Sequence, residues 1–171
     1  MLDWFKEKNY IDKVKIPAKE NLIFIRKVAW SATHDKNHFG IRKIKLLMEK
    51  FSNYKILISD ERLSSRKIKA ENYHRILGKA KLVISEGAST AIESALLGTP
   101  TIYINSLRPE QIKRLNKLKL LTILNNDEDI IINYEKIIYE SEKSKESLKK
   151  LKKNSTDINT LIAEEIELMV E

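Results

Sequence analysis

The chain has 171 residues, of which 42% are apolar and 33% are charged, a composition typical of a soluble globular protein with one substantial core. It contains no cysteine, which excludes disulfides and thiolate catalysis, and three histidines without cysteine argue against a zinc site. No apolar run approaches the roughly 18 residues of a membrane span, and the first residues lack the apolar region of a signal peptide. We therefore expect a cytoplasmic protein.

The net charge of +8 is unevenly distributed. Residues 1–126 carry 25 basic and 12 acidic side chains, a net charge of +13, whereas residues 127–171 carry 7 and 12, a net charge of −5. A basic body suits polyanionic partners, which include nucleotide diphosphates, nucleic acid and an anionic membrane surface. The alternative is that the excess of lysine serves only solubility and reflects a compositional bias, so charge alone leaves the ligand class open.

Strands and helices are predicted to alternate along most of the chain. Residues 1–20 form a lead-in segment, and a polar loop separates the first strand from the first helix. The elements in chain order are a strand at 22–25, a helix at 41–51, a strand at 55–58, a helix at 73–79, a strand at 82–84, a helix at 90–97, a strand at 101–104, a helix at 109–118, a strand at 121–124 and a helix capped by Asn126 that runs toward Tyr139. Residues 143–171 are helical by composition, and the charge run at 143–153 is interpreted as a solvated face.

The predicted strands are continuous apolar runs without apolar/polar alternation, which indicates a parallel sheet covered by helices on both faces. We therefore predict an α/β fold, with one Rossmann-like domain of about five parallel strands at residues 21–140 and a C-terminal helical extension at 141–171. Ligands of such sheets bind beyond the carboxyl ends of the strands. That rule selects three polar loops, at residues 26–40, 59–66 and 85–90.

The turn after the third predicted strand is the strongest candidate for binding an anion. Gly87 removes a side chain where the backbone approaches a ligand or adopts a positive φ. Ala88, Ser89 and Thr90 keep the turn small, and two of them offer hydroxyl groups at a helix N-terminus, where backbone N–H groups and the helix dipole favour phosphate. The alternative is an ordinary turn in which Ser89 or Thr90 caps the helix.

Glu93 has two interpretations. The spacing Thr90-x-x-Glu93 is that of a capping box, in which the carboxylate accepts from the N-cap amide. The functional interpretation is that its two oxygens accept hydrogen bonds from two ribose hydroxyls.

The sequence from Gly87 through Glu93 and Gly98 to Pro100 resembles the donor-binding motif of GT-B fold glycosyltransferases and UDP-N-acetylglucosamine 2-epimerases. Those families have a small-residue turn, a glutamate five residues before a glycine, and then a proline and a strand. The resemblance implies that the turn at residues 86–90, with Glu86, binds the diphosphate of a UDP-type nucleotide sugar and that Glu93 binds its ribose.

A second segment, residues 24–35, resembles the opening of the second half of a GT-B-like family whose function is not established: a strand, an arginine, Trp-Ser-Ala and His-Asp. The resemblance implies that Arg26 and His34 face the diphosphate or the sugar. The arginines that follow this motif in the epimerases are missing, which argues against epimerase chemistry. For His34 the alternative is a local hydrogen bond, and for Trp30 packing is favoured over stacking on a base.

The loop after the second strand is expected to line the base pocket of such folds, through Ser59 and Glu61. Asp35, Asp60 and Glu61 are weak candidates for acid–base catalysis, because nothing in the sequence fixes their geometry. Catalytic residues are therefore left unassigned. The resemblance also implies that no metal and no other cofactor is needed.

The resemblance covers residues 20–170 but only the second half of those proteins. We therefore expect a nucleotide-sugar-binding half-domain that is incomplete for catalysis and pairs with a missing N-terminal GT-B domain or with a partner chain. A noncatalytic interaction or regulatory half-domain is the main alternative. Nucleic-acid binding is disfavoured because the basic residues are dispersed and match no known motif, and the basic body also allows contact with an anionic membrane surface.

Overall fold

The computed structural model describes residues 18–31, 39–63, 68–155 and 158–170. Strands and helices alternate through these ranges. In chain order they are β1 (Leu22–Lys27), α1 (Ile44–Lys50), β2 (Lys55–Asp60), α2 (Ala70–Lys79), β3 (Leu82–Ser85), α3 (Ala88–Leu96), β4 (Thr101–Ile104), α4 (Glu110–Lys117), β5 (Thr122–Leu124), α5 (Asp127–Lys143), α6 (Lys145–Lys153) and α7 (Ile158–Val170).

All five strands pair in parallel in the order β2-β1-β3-β4-β5. The chain leaves β1 toward β2 on one side and returns to β3 on the other, so the order reverses at β1. This reversal is the topological switch point at which open α/β sheets bind ligands. The predicted α/β fold with about five parallel strands is confirmed.

Side chains of β1 alternate between the two faces of the sheet, and both faces are buried. Ile23 and Ile25 pack in one cluster with Leu47 of α1 and Ile130 of α5. Leu22 and Phe24 pack on the other face with residues that include Leu77 of α2. Burial on both faces explains why the strands are continuously apolar. Tyr103 of β4 belongs to a third cluster, with side chains of α3 and α4.

Several predicted boundaries differ from the structure. β1 and β2 each extend two residues further than predicted, to Lys27 and Asp60. The helix predicted from residue 41 begins only at Ile44, because the N–H of Ile41 donates to Glu86 and those of Arg42 and Lys43 donate to Asp127.

Residues with known capping preferences mark one end of each of two helices. Gly98 has φ 73°, and its N–H donates to the carbonyl of Ala95 at 3.0 Å, so the helix α3 ends at a left-handed glycine. Asn126 caps α5, since its Oδ1 accepts from Asp129 N at 2.8 Å. The described part of the chain contains no helix with the length and apolarity needed to cross a membrane.

Candidate functional site

Two neighbouring cavities lie at the carboxyl ends of the strands. The α3 cavity, of about 310 Å³, is bordered by the loop after β1, the turn before α3 and the end of β4; its lining residues are Val28–Ser31, Glu61, Glu86–Ser89, Tyr103, Asn105 and Leu107. The β2 cavity, of about 330 Å³, is lined by Arg26, Ser59–Glu61, Leu63, Ile68 and Tyr73. Glu61 lines both cavities, so they form one cleft at the switch point.

The turn from β3 into α3 presents a helix N-terminus without a side-chain cap. Gly87 is the N-cap residue in an extended conformation, with φ −85° and ψ 130°. The first helical hydrogen bond joins Ala91 N to Gly87 O at 3.1 Å. The N–H groups of Ala88, Ser89 and Thr90 therefore lie in the first turn, where an α-helix provides no internal acceptor.

This geometry corrects two interpretations of the turn. Neither Ser89 nor Thr90 is the N-cap, and Thr90-x-x-Glu93 is not a capping box, because the helix begins two residues before Thr90. The Thr90 hydroxyl instead pairs with Tyr73 Oη at 2.5 Å. Gly87 has a negative φ, so its backbone conformation does not require glycine. Its surroundings are closely packed, because a Cβ there would lie 3.3 Å from Val28 Cγ1.

Glu86 is buried, and its carboxylate binds other parts of the chain. It accepts hydrogen bonds from Val28 N at 2.8 Å, Trp30 Nε1 at 3.2 Å and Ile41 N at 2.8 Å. Burial raises the pKa of Glu86, and the hydrogen bonds from Val28 and Ile41 act against this rise. Glu86 lines the α3 cavity, yet its carboxylate binds the backbone N–H groups of Val28, directly after β1, and of Ile41, shortly before α1.

Two residues around Glu86 show how tightly this part of the site is packed. Gly40 is buried, and a Cβ on it would lie 2.6 Å from Glu86 Oε1 and 2.7 Å from Trp30 Cζ2. Trp30 has φ 56°, which is strained for a residue with a bulky side chain. Its indole packs beside Gly40 and donates to Glu86, in agreement with the packing role favoured for it.

Arg26, Ser59 and Glu61 lie together in the β2 cavity, and Glu61 also borders the α3 cavity. Arg26 donates to Ser59 Oγ at 2.7 Å and forms an ion pair with Glu61 Oε1. Glu61 Oε2 accepts from Ala29 N at 3.0 Å. The pairing of Arg26 with Ser59 in the β1–β2 ladder explains their proximity.

Asp60, which lies between Ser59 and Glu61 in the sequence, pairs with Arg62 and not with Arg26. Its carboxylate binds Arg62 through side-chain contacts of 2.9 and 2.6 Å, and these hydrogen bonds lower the pKa of Asp60 to about 2. A carboxylate that stays ionised to such low pH is a poor general acid near neutrality.

Glu93 lies outside the lining of both cavities. Its Oε2 is 3.3 Å from His74 Nε2 of α2, and its side chain is 30% exposed. Tyr73 is the link to the cleft, since it lines the β2 cavity and its hydroxyl pairs with Thr90. His34 and Asp35 lie outside the described residues.

Two residues of the site were not predicted from the sequence. Asn105 is buried after β4; its Nδ2 donates to Glu86 O at 2.9 Å, and its Oδ1 accepts from Leu107 N at 2.8 Å. Tyr103 is buried in the wall of the α3 cavity. The sequence carried one signal for each of them. Asn105 is a polar residue directly after an apolar strand, and Tyr103 is a tyrosine within that strand. No group of three or more metal-ligating side chains occurs among the residues that the structure describes.

No family model matches the chain, and no curated protein matches it. Two solved structures share its fold. The kitacinnamycin glycosyltransferase has a TM-score of 0.52 and 10% identity, over 88% of this chain and 44% of that one. The H444N variant of the wall teichoic acid polymerase TagF, in a crystal soaked with CDPG, has a TM-score of 0.50 and 12% identity, over 99% of this chain and 50% of that one. The chain thus spans about half the length of these structures, and its five-stranded parallel sheet with flanking helices has a GT-B glycosyltransferase-like fold.

Proposed function

We propose that this chain is the donor-binding half of a GT-B-like glycosyltransferase and binds a nucleotide sugar of the UDP type. The observation that carries the proposal is the uncapped N-terminus of α3, which opens onto a cavity at the switch point of the sheet. Backbone N–H groups at such a position stabilise an anion by direct hydrogen bonds and through the helix dipole.

The residues around the turn suit a diphosphate. Ser89 is exposed, so its hydroxyl is accessible to a ligand in the α3 cavity. Arg26 lines the β2 cavity and lies close to the turn, since a Cβ on Gly87 would be 3.9 Å from Arg26 Cγ. A guanidinium can bind two phosphate oxygens at once. The net charge of +13 on residues 1–126 favours the approach of an anionic donor.

The β2 cavity is the proposed position of the nucleoside. It adjoins Tyr73, which connects to Thr90 of α3, and it contains Ser59 and Glu61. Glu93 is partly exposed on the side of α3 that meets α2. We assign Glu93 to the ribose, on its motif position, and Glu86 to positioning the surrounding loops, because its carboxylate is already bound by three donors of the chain.

The chain spans about half of the two solved structures whose fold it shares. We propose that a second GT-B-like domain or a partner chain completes the cleft and supplies the acceptor site. Alone, this chain is expected to bind the donor without turning it over.

Isothermal titration calorimetry tests the proposal with UDP, UDP-N-acetylglucosamine, GDP, ADP and CDPG. The key variant is Ala88→Pro, which removes one N–H of the first turn at a helical position that tolerates proline, after a residue that is already extended. Ala88→Ser keeps the N–H and is the matched control. We expect affinity to fall about tenfold in Ala88→Pro and to stay within a factor of about two in Ala88→Ser.

Glu93→Ala tests the ribose assignment separately. It is expected to weaken UDP binding and to leave the binding of inorganic pyrophosphate unchanged, because pyrophosphate has no ribose. Wild-type protein that binds none of the nucleotides would contradict the proposed function.

A noncatalytic interaction module is the second candidate, and α7 favours it. Ile162, Ile166, Leu168 and Met169 of this helix are all exposed. Ile162, Ile166 and Met169 recur at helical spacing along one face, and an exposed apolar face is typical of protein-interaction surfaces. This function predicts self-association or partner binding without any response to nucleotides, which analytical ultracentrifugation with and without UDP would show.

A further inference from the structure

The hydroxyl group of Tyr103 is a buried polar group that the proposed function has not used. Tyr103 lies in β4 and is fully buried. Within the described part of the chain, its Oη has no hydrogen-bond partner. Buried polar atoms are hydrogen-bonded in the great majority of cases, so an exception needs an explanation.

The position of Tyr103 points to a ligand. It lies in the wall of the α3 cavity together with Gly87, Ala88 and Ser89, the residues of the uncapped turn. In the β3–β4 ladder it is paired with Ser85, two residues before Gly87. A buried hydroxyl without a partner and the first turn of a nine-residue helix therefore border the same cavity.

The chemistry of the hydroxyl determines its role. Burial raises the pKa of Tyr103 to about 12, and the positive charge of Arg108 acts against this rise. The phenol therefore stays protonated at neutral pH and can donate a hydrogen bond to an anion. Arg108 is itself held by Asn125 Oδ1 at 2.7 Å and adds positive potential on the β4 side of the cavity.

We propose that Tyr103 is a ligand-contacting residue whose hydroxyl donates to a phosphoryl oxygen bound at the first turn of α3. This inference rests on the proposed function and adds to it a neutral donor from β4, whereas Arg26 comes from β1. The hydroxyl is closed to solvent, so the proposed contact requires the cavity wall to open toward the ligand.

Tyr103→Phe separates this role from a structural one, because the two roles predict different effects on stability. The substitution removes only the hydroxyl. If Oη lacks a partner in the unliganded protein, the melting temperature stays the same or rises, since an unsatisfied buried group is lost. The affinity for inorganic pyrophosphate and for UDP is expected to fall about tenfold. Tyr54→Phe, which precedes β2 at the opposite edge of the sheet, is the matched control and should change neither quantity.

Each result of calorimetry and thermal melting has a distinct meaning. A loss of affinity at an unchanged or higher melting temperature supports the assignment of Tyr103. Equal affinity of wild type and Tyr103→Phe overturns it and leaves the proposed function standing. A fall in melting temperature of more than about 4 °C also overturns it, because the hydroxyl would then have a partner inside the unliganded fold. If wild-type protein binds neither probe, the proposed function fails, and this inference fails with it.

Discussion

Replacing Glu86 with glutamine should destabilise the protein although the side chain keeps its shape. The carboxylate accepts two hydrogen bonds at Oε2, from Val28 N and Trp30 Nε1, and one at Oε1, from Ile41 N. A glutamine carbonyl can replace Oε2 and keep two of these bonds. Its amide group then faces the N–H of Ile41, so two donors oppose each other.

The magnitude follows from these contacts. One buried donor is left unsatisfied, which costs about 1–3 kcal/mol, and the two remaining bonds lose the strength that a charged acceptor provides. Removing a buried charge offsets part of this, as the raised pKa of Glu86 indicates. We expect a net loss of about 2 kcal/mol in the free energy of unfolding. The free energy of unfolding of a typical domain is about 5–15 kcal/mol, so the variant should still fold.

Urea unfolding followed by circular dichroism at 222 nm measures the effect. With a slope of about 2 kcal/mol per molar urea, the midpoint of Glu86→Gln should fall by about 1 M. Glu20→Gln, in an exposed ion pair with Lys79, is the matched control and should leave the midpoint nearly unchanged. Gly40→Ala should mimic Glu86→Gln, because the added Cβ displaces the same carboxylate. Equal midpoints for Glu86→Gln and Glu20→Gln would refute the role of Glu86 as the anchor of these loops.

Three further predictions concern single contacts. Gly98→Ala places a Cβ at φ 73° and should cost about 1 kcal/mol, seen as a lower melting temperature; an unchanged value would mean that the turn relaxes freely. Glu61→Gln weakens the hold on Arg26 and should raise the affinity for inorganic pyrophosphate severalfold by calorimetry, whereas a lower affinity would make Glu61 a direct ligand contact. Asp60→Asn should cost about 1 kcal/mol or less at pH 7, because the Arg62 side chain is 53% exposed and solvent screens the pair, although the Asp60 side chain is only 9% exposed. Since the folded pKa of Asp60 is about 2 and its ordinary value is 3.8, this difference in urea midpoint should disappear as the pH falls from about 4 to 2, and a constant difference would argue against the ion pair.

The fold was predictable because its signal is local. Each strand is a short apolar run between polar segments, and a strand buried on both faces needs no information from elsewhere in the chain. The signals for the end of α3, at Gly98, and for the start of α5, at Asn126, were also local. The start of α1 was not, because Glu86 and Asp127 bind the N–H groups before it from more than 40 residues away.

The candidate site was predictable in its position and less so in the roles of its residues. The switch-point rule and the small-residue turn located the cleft. The capping box was wrong because the helix already begins at Ala88, two residues before Thr90. The hydroxyl of Thr90 instead pairs with Tyr73 of another helix, which spacing along α3 does not reveal. The partners of Glu86 are similarly distant, at Val28, Trp30 and Ile41, so only the structure separates a positioning carboxylate from one that faces the ligand.

Hydrogen exchange at the uncapped turn of α3 would also report whether a ligand is bound there. Amides that lack an internal acceptor are not protected by a helical hydrogen bond and are expected to exchange faster than the amides further along the helix. Ala88, Ser89 and Thr90 are in that position, whereas the next amide, that of Ala91, is bonded to Gly87. An anion bound at the turn would slow exchange at these three positions and leave the rest of the helix unchanged. Occupancy of the cleft could therefore be read in a mixture of unidentified compounds, before any of them is known to be the natural donor.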